Sequence, residues 1–169
     1  MGPLGRRTWS PRGQTPMLRQ RGRTLKKVSA IAALCVAPTR DAVRLYFRLH
    51  PDQNIPSGHV IAFLERLLGH IDPICLLWDR LNAHRAIATQ AWLAATPAIH
   101  PTAFPPYAPD LNPVEFIWTW LKTNPLANLA CLDLDTLSTT ARHHTRSLQH
   151  QPHLLRACLQ HTPLALRLR

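Results

Sequence analysis

The pattern of apolar positions along this chain changes period several times, and each change marks a predicted element. The mostly apolar stretch Val28–Val36 predicts a strand that ends before Pro38. The next stretch, Ala42–His50, alternates apolar and polar residues, which predicts a half-buried strand. The short segment Pro38–Asp41 lies between the two strands, so we expect them to pair as a hairpin.

Helical periodicity follows the predicted hairpin. Ser57 is expected to cap a helix that presents one broad apolar face and ends at Gly69. The continuous apolar run Ile74–Trp78 is typical of a strand that is buried on both faces. A helix over about His84–Ala95 and a short strand near Ala98–Ala103 are predicted next.

The last third of the chain is mainly helical in pattern. A proline-rich loop opens the stretch FPPYAPDLNPVEFIWTWLK (Phe104–Lys122) and leads into a helix from Pro113 to about Thr123. The segment from Leu132 to about His161 has a helical pattern interrupted around Pro152. The order β-β-α-β-α-β-α-α predicts an α/β fold in which helices cover a mixed sheet.

Length and composition fit this prediction. With 169 residues and 46% hydrophobic residues, the chain suits one globular domain with one sizeable core. No apolar run approaches the roughly 20 residues that cross a bilayer, and the polar N-terminus lacks the apolar stretch of a signal peptide. We therefore expect a cytoplasmic protein with no membrane partner.

The charge of the chain points to a polyanionic partner. Lys and Arg together number 20 and Asp and Glu 9, which gives a net charge of +11. Eight of the basic residues fall within residues 1–27, where there is no acid. Such a segment favours contact with nucleic-acid phosphates, and the alternative is a solvated basic arm. The candidate phosphate contacts are Arg6, Arg7, Arg12, Arg19, Arg21, Arg23, Lys26 and Lys27.

Asp79 is the first candidate site residue, because it directly follows the apolar run ICLLW. The carboxyl ends of strands in α/β sheets are where ligands and catalytic groups collect. A carboxylate at this position, followed by Asn82 and His84, could hold a divalent cation with oxygen ligands. Alternatively, Asp79 starts a turn and Asn82 caps the next helix.

Glu115 is the second candidate, at the start of the helix that follows the proline-rich loop. Asn112, Pro113 and Glu115 fit an N-cap, a first-turn proline and a capping glutamate, so capping alone could explain them. The rigid loop in front of them suggests in addition that the helix N-terminus, with Glu115 and the positive dipole end, is aimed at a ligand. Asp110 is a supporting candidate, with loop-ordering acceptor as its alternative role.

Together, two carboxylates on a basic protein suggest metal-assisted phosphoryl transfer, in which cations activate the attacking oxygen and stabilise the leaving one.

The segments WDRLNAHR and FPPYAPDLNPVEFIWTWLK resemble the end of the catalytic domain of mariner-like insertion-sequence transposases. These proteins belong to the DDE endonuclease superfamily and have an RNase H-like fold. The resemblance implies that Asp79, in a strand-Asp-x-x-x-x-His pattern ending at His84, is the second catalytic acid, and that Glu115, 36 positions later, is the third. It also implies Mg²⁺ or Mn²⁺ as cofactor and the DNA of transposon ends as partner.

The chain departs from the family at its N-terminus. The family's first catalytic Asp precedes the segment that TWSPRGQTP resembles, and here no acid precedes Asp41. Neither Asp41 nor Asp52 matches the family position. We therefore expect an N-terminally truncated fragment that lacks the first catalytic strand and the helix-turn-helix region, with an incomplete two-metal site and little activity alone.

The truncation expectation extends to partners and domains. A second copy, or a complementing fragment from an upstream reading frame, is an expected partner. The alternative function is a non-catalytic nucleic-acid-binding protein derived from the same fold. We expect a basic loop segment at 1–27, a partial RNase H-like catalytic core at 28–125, and a C-terminal helical segment of the same domain at 126–169.

Overall fold

The structure is a computed structural model, and it describes residues 9–14, 27–129, 133–164 and 168. Within these ranges it contains four strands, a short 3₁₀ turn at Pro109–Leu111 and six α-helices. The strands are β1 (Val28–Val36), β2 (Val43–Pro51), β3 (Ile74–Trp78) and β4 (Ile99–Ala103). The helices are α1 (Ser57–Leu68), α2 (Asn82–Arg85), α3 (Ile87–Ala94), α4 (Pro113–Thr123), α5 (Leu134–Gln149) and α6 (Pro152–Gln160).

Strands β1 and β2 form the predicted hairpin. They pair antiparallel over their full length, from Val36 opposite Val43 at the turn to Val28 opposite Pro51 at the open end. Arg40, with φ of 61°, supplies the left-handed residue in the turn. Because side chains alternate between the two faces of a strand, the hairpin presents two different surfaces.

One face of the hairpin joins the helices α4, α5 and α6 in the first core. Leu121, Leu126 and Leu155 have no exposed side-chain surface in this core. A hydrogen bond of 2.7 Å from Gln149 Nε2 to the carbonyl oxygen of Leu45 ties α5 to β2. The buried members of this first core are Val28, Val43, Leu45, Ile117, Leu121, Leu126, Leu137, Ala141, Leu148, Leu155, Cys158 and Leu159.

The opposite face of the hairpin, with Ala33, Cys35 and Tyr46, packs against the second core. This core contains α1, α3 and the parallel pair β3–β4, in which Ile74 lies opposite Ile99. Its buried members are Val60, Leu64, Leu67, Ile74, Ala83, Leu93 and Ile99. In the described ranges the strands thus form two separate two-stranded sheets, one antiparallel and one parallel.

Three local predictions were wrong. Ser57 begins α1 and does not cap it, since the residue before the helix is Pro56, which has no side-chain acceptor. The helix predicted over His84–Ala95 is two helices, because Ala86 has an extended backbone with ψ of 141°. Strand β3 is not buried on both faces, since the side chains of Cys75 and Leu77 are exposed.

Among the described residues, no helix combines the length and apolarity needed to cross a membrane.

Candidate functional site at the carboxyl end of the parallel strands

The carboxyl ends of β3 and β4 meet because the two strands run parallel, and both candidate segments leave the sheet at this end. Asp79 follows β3, and Phe104, which opens the proline-rich loop, follows β4. The amide of Phe104 donates to the carbonyl oxygen of Trp78 at 2.8 Å. The side chain of Arg80 adds a second link, since its Nε donates to the carbonyl oxygen of Phe104 at 3.1 Å.

The Asp79 carboxylate is held by its own turn. Its Oδ1 accepts a hydrogen bond from the amide of Leu81 at 3.1 Å and lies 2.8 Å from Nδ1 of His84. The hydrogen bond from His84, followed by that from Leu81, lowers the pKa of Asp79 against the opposing effect of partial burial. No described residue donates to Oδ2, and about half of the side chain is exposed (47%). Asp79 is therefore a fixed anion with one oxygen open to a ligand.

His84 is fixed from two sides. Its Nδ1 lies 3.1 Å from the backbone oxygen of Asp79 as well as near the carboxylate, and its ring stacks on Trp78 with centroids 4.3 Å apart. Helix α2, which carries His84, is joined to α3 by two hydrogen bonds of 2.7 Å each, from Thr89 Oγ1 to the Ala83 oxygen and from Gln90 Nε2 to the His84 oxygen. The ring that orients Asp79 is thus anchored to the second core.

A cavity of about 380 Å³ opens beside Asp79. Its lining combines one acid, two arginines and the stacked Trp78–His84 pair. Sequence reasoning did not identify the arginines, although Arg80 is the immediate neighbour of Asp79 and Arg85 that of His84. The lining residues are Trp78, Asp79, Arg80, His84, Arg85, Gln90, Pro101 and Ala103.

Glu115 lies in the first turn of α4, is exposed, and is not among the residues that line the cavity. The predicted Asn112 cap is confirmed, since its Oδ1 accepts from the amide of Val114 at 3.1 Å. The predicted capping role of Glu115 is wrong, because the Asn112 amide donates to the oxygen of Pro109 at 2.9 Å instead. Asp110 is exposed in the 3₁₀ turn, and no described residue donates to its carboxylate.

The remaining predicted residues do not join Asp79. Asn82 is the exposed first residue of α2, and the helix is preceded by Leu81, so Asn82 is not its cap. Of the basic segment, Arg12 is exposed and Lys27 donates to Oδ1 of Asn54. The other predicted phosphate contacts lie outside the described residues: Arg6, Arg7, Arg19, Arg21, Arg23 and Lys26.

The fit of the site to a divalent cation is partial. Oδ2 of Asp79 is a hard oxygen ligand of the kind that Mg²⁺ and Mn²⁺ bind. However, the described part of the chain brings together no group of three His, Cys, Asp or Glu side chains that could hold a metal ion. A cation bound at Asp79 would therefore need further ligands from other groups.

Comparison with known proteins gives the family and the fold. A model of the family "DDE superfamily endonuclease" matches residues 2–138. A chain in the "Crystal structure of the Mos1 Strand Transfer Complex" is similar in structure, with a TM-score of 0.56 and 17% identity. The likeness covers 94% of this chain and 50% of the Mos1 chain, so this chain spans about half the length of that one. None of the curated proteins matches.

The likeness to the Mos1 chain confirms the RNase H-like α/β fold expected from the sequence. The family match covers most of the chain, including both candidate carboxylates, and DDE superfamily endonucleases generally use divalent metal ions. The chain belongs to the DDE superfamily endonuclease family.

Proposed function

We propose that this chain is part of the catalytic domain of a DNA transposase, and that Asp79 binds the divalent cation, Mg²⁺ or Mn²⁺, used in DNA cleavage and strand transfer. The observation that carries the proposal is the state of Asp79. One carboxylate oxygen is engaged by His84 and Leu81, and the other is open beside a cavity with two arginines. Because the Asp79 carboxylate is already held in one orientation, it loses less conformational entropy when it binds the cation.

The bound cation would polarise the phosphodiester and activate the attacking water or hydroxyl. Glu115 is proposed as a second ligand, contributed when the N-terminus of α4 and the DNA come together at the carboxyl end of β3. Among the described residues, no other carboxylate lines the cavity with Asp79. We therefore propose that a further carboxylate, from a second copy or a complementing fragment, is required, and that the chain alone does not cleave DNA.

The segment boundaries form part of the proposal. Helices α5 and α6 share the first core with β1, β2 and α4, which supports assigning 126–169 to the same domain as the partial catalytic core at 28–125. Residues 1–27 are proposed as the basic segment that contacts phosphates on the transposon ends, together with the positive charge of the whole chain.

A second candidate function is non-catalytic nucleic-acid binding on the same fold. The exposed position of Glu115, away from the cavity, favours this alternative. In that case the carboxylates have no cation to bind, and binding to DNA depends on basic residues alone.

The discriminating experiment is a metal titration of the whole chain followed by NMR. Mn²⁺ should broaden amide signals around Leu81 and His84, and Asp79→Asn should abolish this effect because it removes the anionic ligand. Asp110→Asn is the matched control, since Asp110 is exposed and lies outside the cavity. Broadening that is absent, or that persists in Asp79→Asn, would reject the catalytic proposal. DNA affinity that is the same with and without Mg²⁺, in wild type and Asp79→Asn alike, would support the alternative.

A further inference from the structure

Two guanidinium groups line the same cavity as Asp79, and neither is paired with an acid there. Asp79 is the one carboxylate among the eight lining residues, and its engaged oxygen is occupied by His84 and Leu81. Arg80 and Arg85 thus bring two positive charges to a concave surface and leave them available to a ligand.

Arg80 is held in place before any ligand binds. Its Nε donates to the carbonyl oxygen of Phe104 at 3.1 Å, and Phe104 is itself buried, with 6% of its surface exposed. This bond leaves the two terminal amino groups of the guanidinium free to bind an anion side by side. An arginine that is already oriented loses less conformational entropy for each hydrogen bond that it forms.

Arg85 approaches the same cavity from the end of α2. The helix stops there because Ala86 is extended, and Gln90 fixes the last turn by its bond to the His84 oxygen. The Arg85 side chain is exposed, and no described residue accepts a hydrogen bond from it. The second guanidinium is therefore on an anchored backbone but free at its tip.

The chemistry of this cavity matches a phosphodiester. Paired guanidiniums bind phosphate oxygens in fork geometry, and the charge of +11 on the chain favours a polyanion as the source of the phosphate. The Asp79 carboxylate in the same cavity repels a bare anion, so binding there needs the two arginines to offset it. The size of the cavity, about 380 Å³, is in the range of small-ligand sites.

We propose that Arg80 and Arg85 form a phosphate subsite that holds one phosphodiester group of a DNA strand beside Asp79. That the ligand is DNA rests on the proposed function. The subsite adds where the DNA strand lies, namely with one phosphodiester group next to the Asp79 carboxylate.

The test is the salt dependence of DNA binding, measured by fluorescence anisotropy with a labelled DNA oligonucleotide in EDTA. Each lost phosphate contact should make the slope of log K against log salt shallower by about 0.7–0.9. We expect this change for the double variant Arg80→Gln/Arg85→Gln, which removes the one proposed phosphate contact, and a smaller change in the same direction for either single variant. Arg142→Gln, on the exposed side of α5, is the matched control and should keep the wild-type slope. The side chain of Arg85 makes no hydrogen bond to a described residue, so its variant remains informative if Arg80→Gln destabilises the chain.

A second readout places the phosphate inside the cavity. In EDTA, Asp79→Asn should strengthen DNA binding, because it removes a negative charge next to the subsite. Slopes for Arg80→Gln and Arg85→Gln that equal that of Arg142→Gln would overturn the proposal. Unchanged affinity of Asp79→Asn would also overturn it, since the arginines would then contact DNA outside the cavity.

The outcomes separate this proposal from the proposed function. Because EDTA removes the cation, the slopes report phosphate contacts alone. A shallower salt dependence in the arginine variants, without Mn²⁺ binding at Asp79, would support the subsite and reject the catalytic role. Mn²⁺ binding at Asp79 with unchanged slopes would keep the catalytic role and reject the subsite.

Discussion

The two cores of this chain differ in how completely they are packed. Most residues of the first core, including Ile117 and Leu121, have no exposed surface or nearly none. The half that contains the second core leaves large apolar side chains in solvent, with Leu77 51%, Leu81 50% and Ile87 89% exposed. The site residue Asp79 belongs to the less completely packed half.

This difference bears on the two candidate carboxylates. Asp79 leaves the second core at the end of β3, whereas Glu115 is carried by α4, whose buried face belongs to the first core. Their relative position therefore depends on what joins the two halves, namely the shared hairpin and the link from Arg80 to Phe104. Two carboxylates carried by separate cores can change their separation without either core unfolding, which the proposed role of Glu115 as a second ligand requires.

The largest expected effect tests the difference in packing directly. Leu121→Ala should destabilise the chain by about 2–5 kcal/mol, since it opens a cavity in a core with little freedom to collapse. Leu77→Ala, at a half-exposed position, should cost about 1 kcal/mol or less. Urea unfolding followed by circular dichroism gives both values. Equal losses in the free energy of unfolding would contradict the difference in packing between the two cores and would show that Leu77 is buried in solution.

A matched pair of buried threonines gives a smaller effect. Thr89 and Thr145 both have 0% exposure and both donate a hydrogen bond of 2.7 Å to a backbone oxygen. The Thr89 bond joins α3 to α2, whereas the Thr145 bond goes to Ala141 within α5. Thr89→Val should cost about 1–2 kcal/mol, and Thr145→Val about 0.5 kcal/mol or less because such bonds within a helix contribute little. A loss for Thr89→Val no larger than that for Thr145→Val would show that the contact between α2 and α3 does not depend on the Thr89 bond.

At the start of α4, capping and ligand binding can be separated. Asn112→Ala should cost about 1 kcal/mol, because the cap to the Val114 amide is lost. Glu115→Gln should cost only about 0.3 kcal/mol, since no described residue donates to the carboxylate and only its charge in the first turn of α4 is lost. If Glu115→Gln destabilises the chain as much as Asn112→Ala, Glu115 has a structural role and its assignment as a ligand loses support.

The sequence predicted those features that depend on local pattern. The hairpin followed from alternation and the bounds of α4 from Pro113 and Asn112, because these signals act within a few residues. A short strand near β4 was also predicted, but its parallel pairing with β3 was not. The break at Ala86 was missed, since Ala favours helix and an apolar periodicity runs through it. The exposure of Cys75 and Leu77 could not be read from an apolar run, because burial depends on which elements cover the second face of β3.

The candidate site shows the same limit. Asp79 and His84 were identified from a strand end and a short spacing, and the structure brings them to 2.8 Å. Their metal and catalytic roles, and those of Glu115, stay predictions. Arg80 and Arg85 had no distinguishing pattern in an arginine-rich sequence, since what marks them is a shared cavity and the bond from Arg80 to Phe104.

The smallest expected effect lies at the joint between the hairpin and α1, where His50 of β2 stacks on His59 with ring centroids 4.2 Å apart. Nε2 of His50 and Nδ1 of His59 are buried without a hydrogen-bond partner among the described residues. Burial, and then the charge of His59, lower the pKa of His50. As pH falls below about 6.5, the ordinary value for His, the unfolded chain therefore takes up this proton before the folded chain does.

The free energy of unfolding should accordingly be highest above about pH 6.5 and decrease below it. The urea midpoint of wild type should decrease as the pH is lowered from neutral to mildly acidic. His50→Phe preserves an aromatic stack without a titrating group, so it should reduce that decline. His153→Phe, at an exposed position on α6, should retain the wild-type decline. A decline that survives His50→Phe would assign the pH dependence to other groups. The contact between β2 and α1 would then be equally stable at both ends of this pH range. The acid-sensitive part of the chain would lie elsewhere than at the joint between the hairpin and α1.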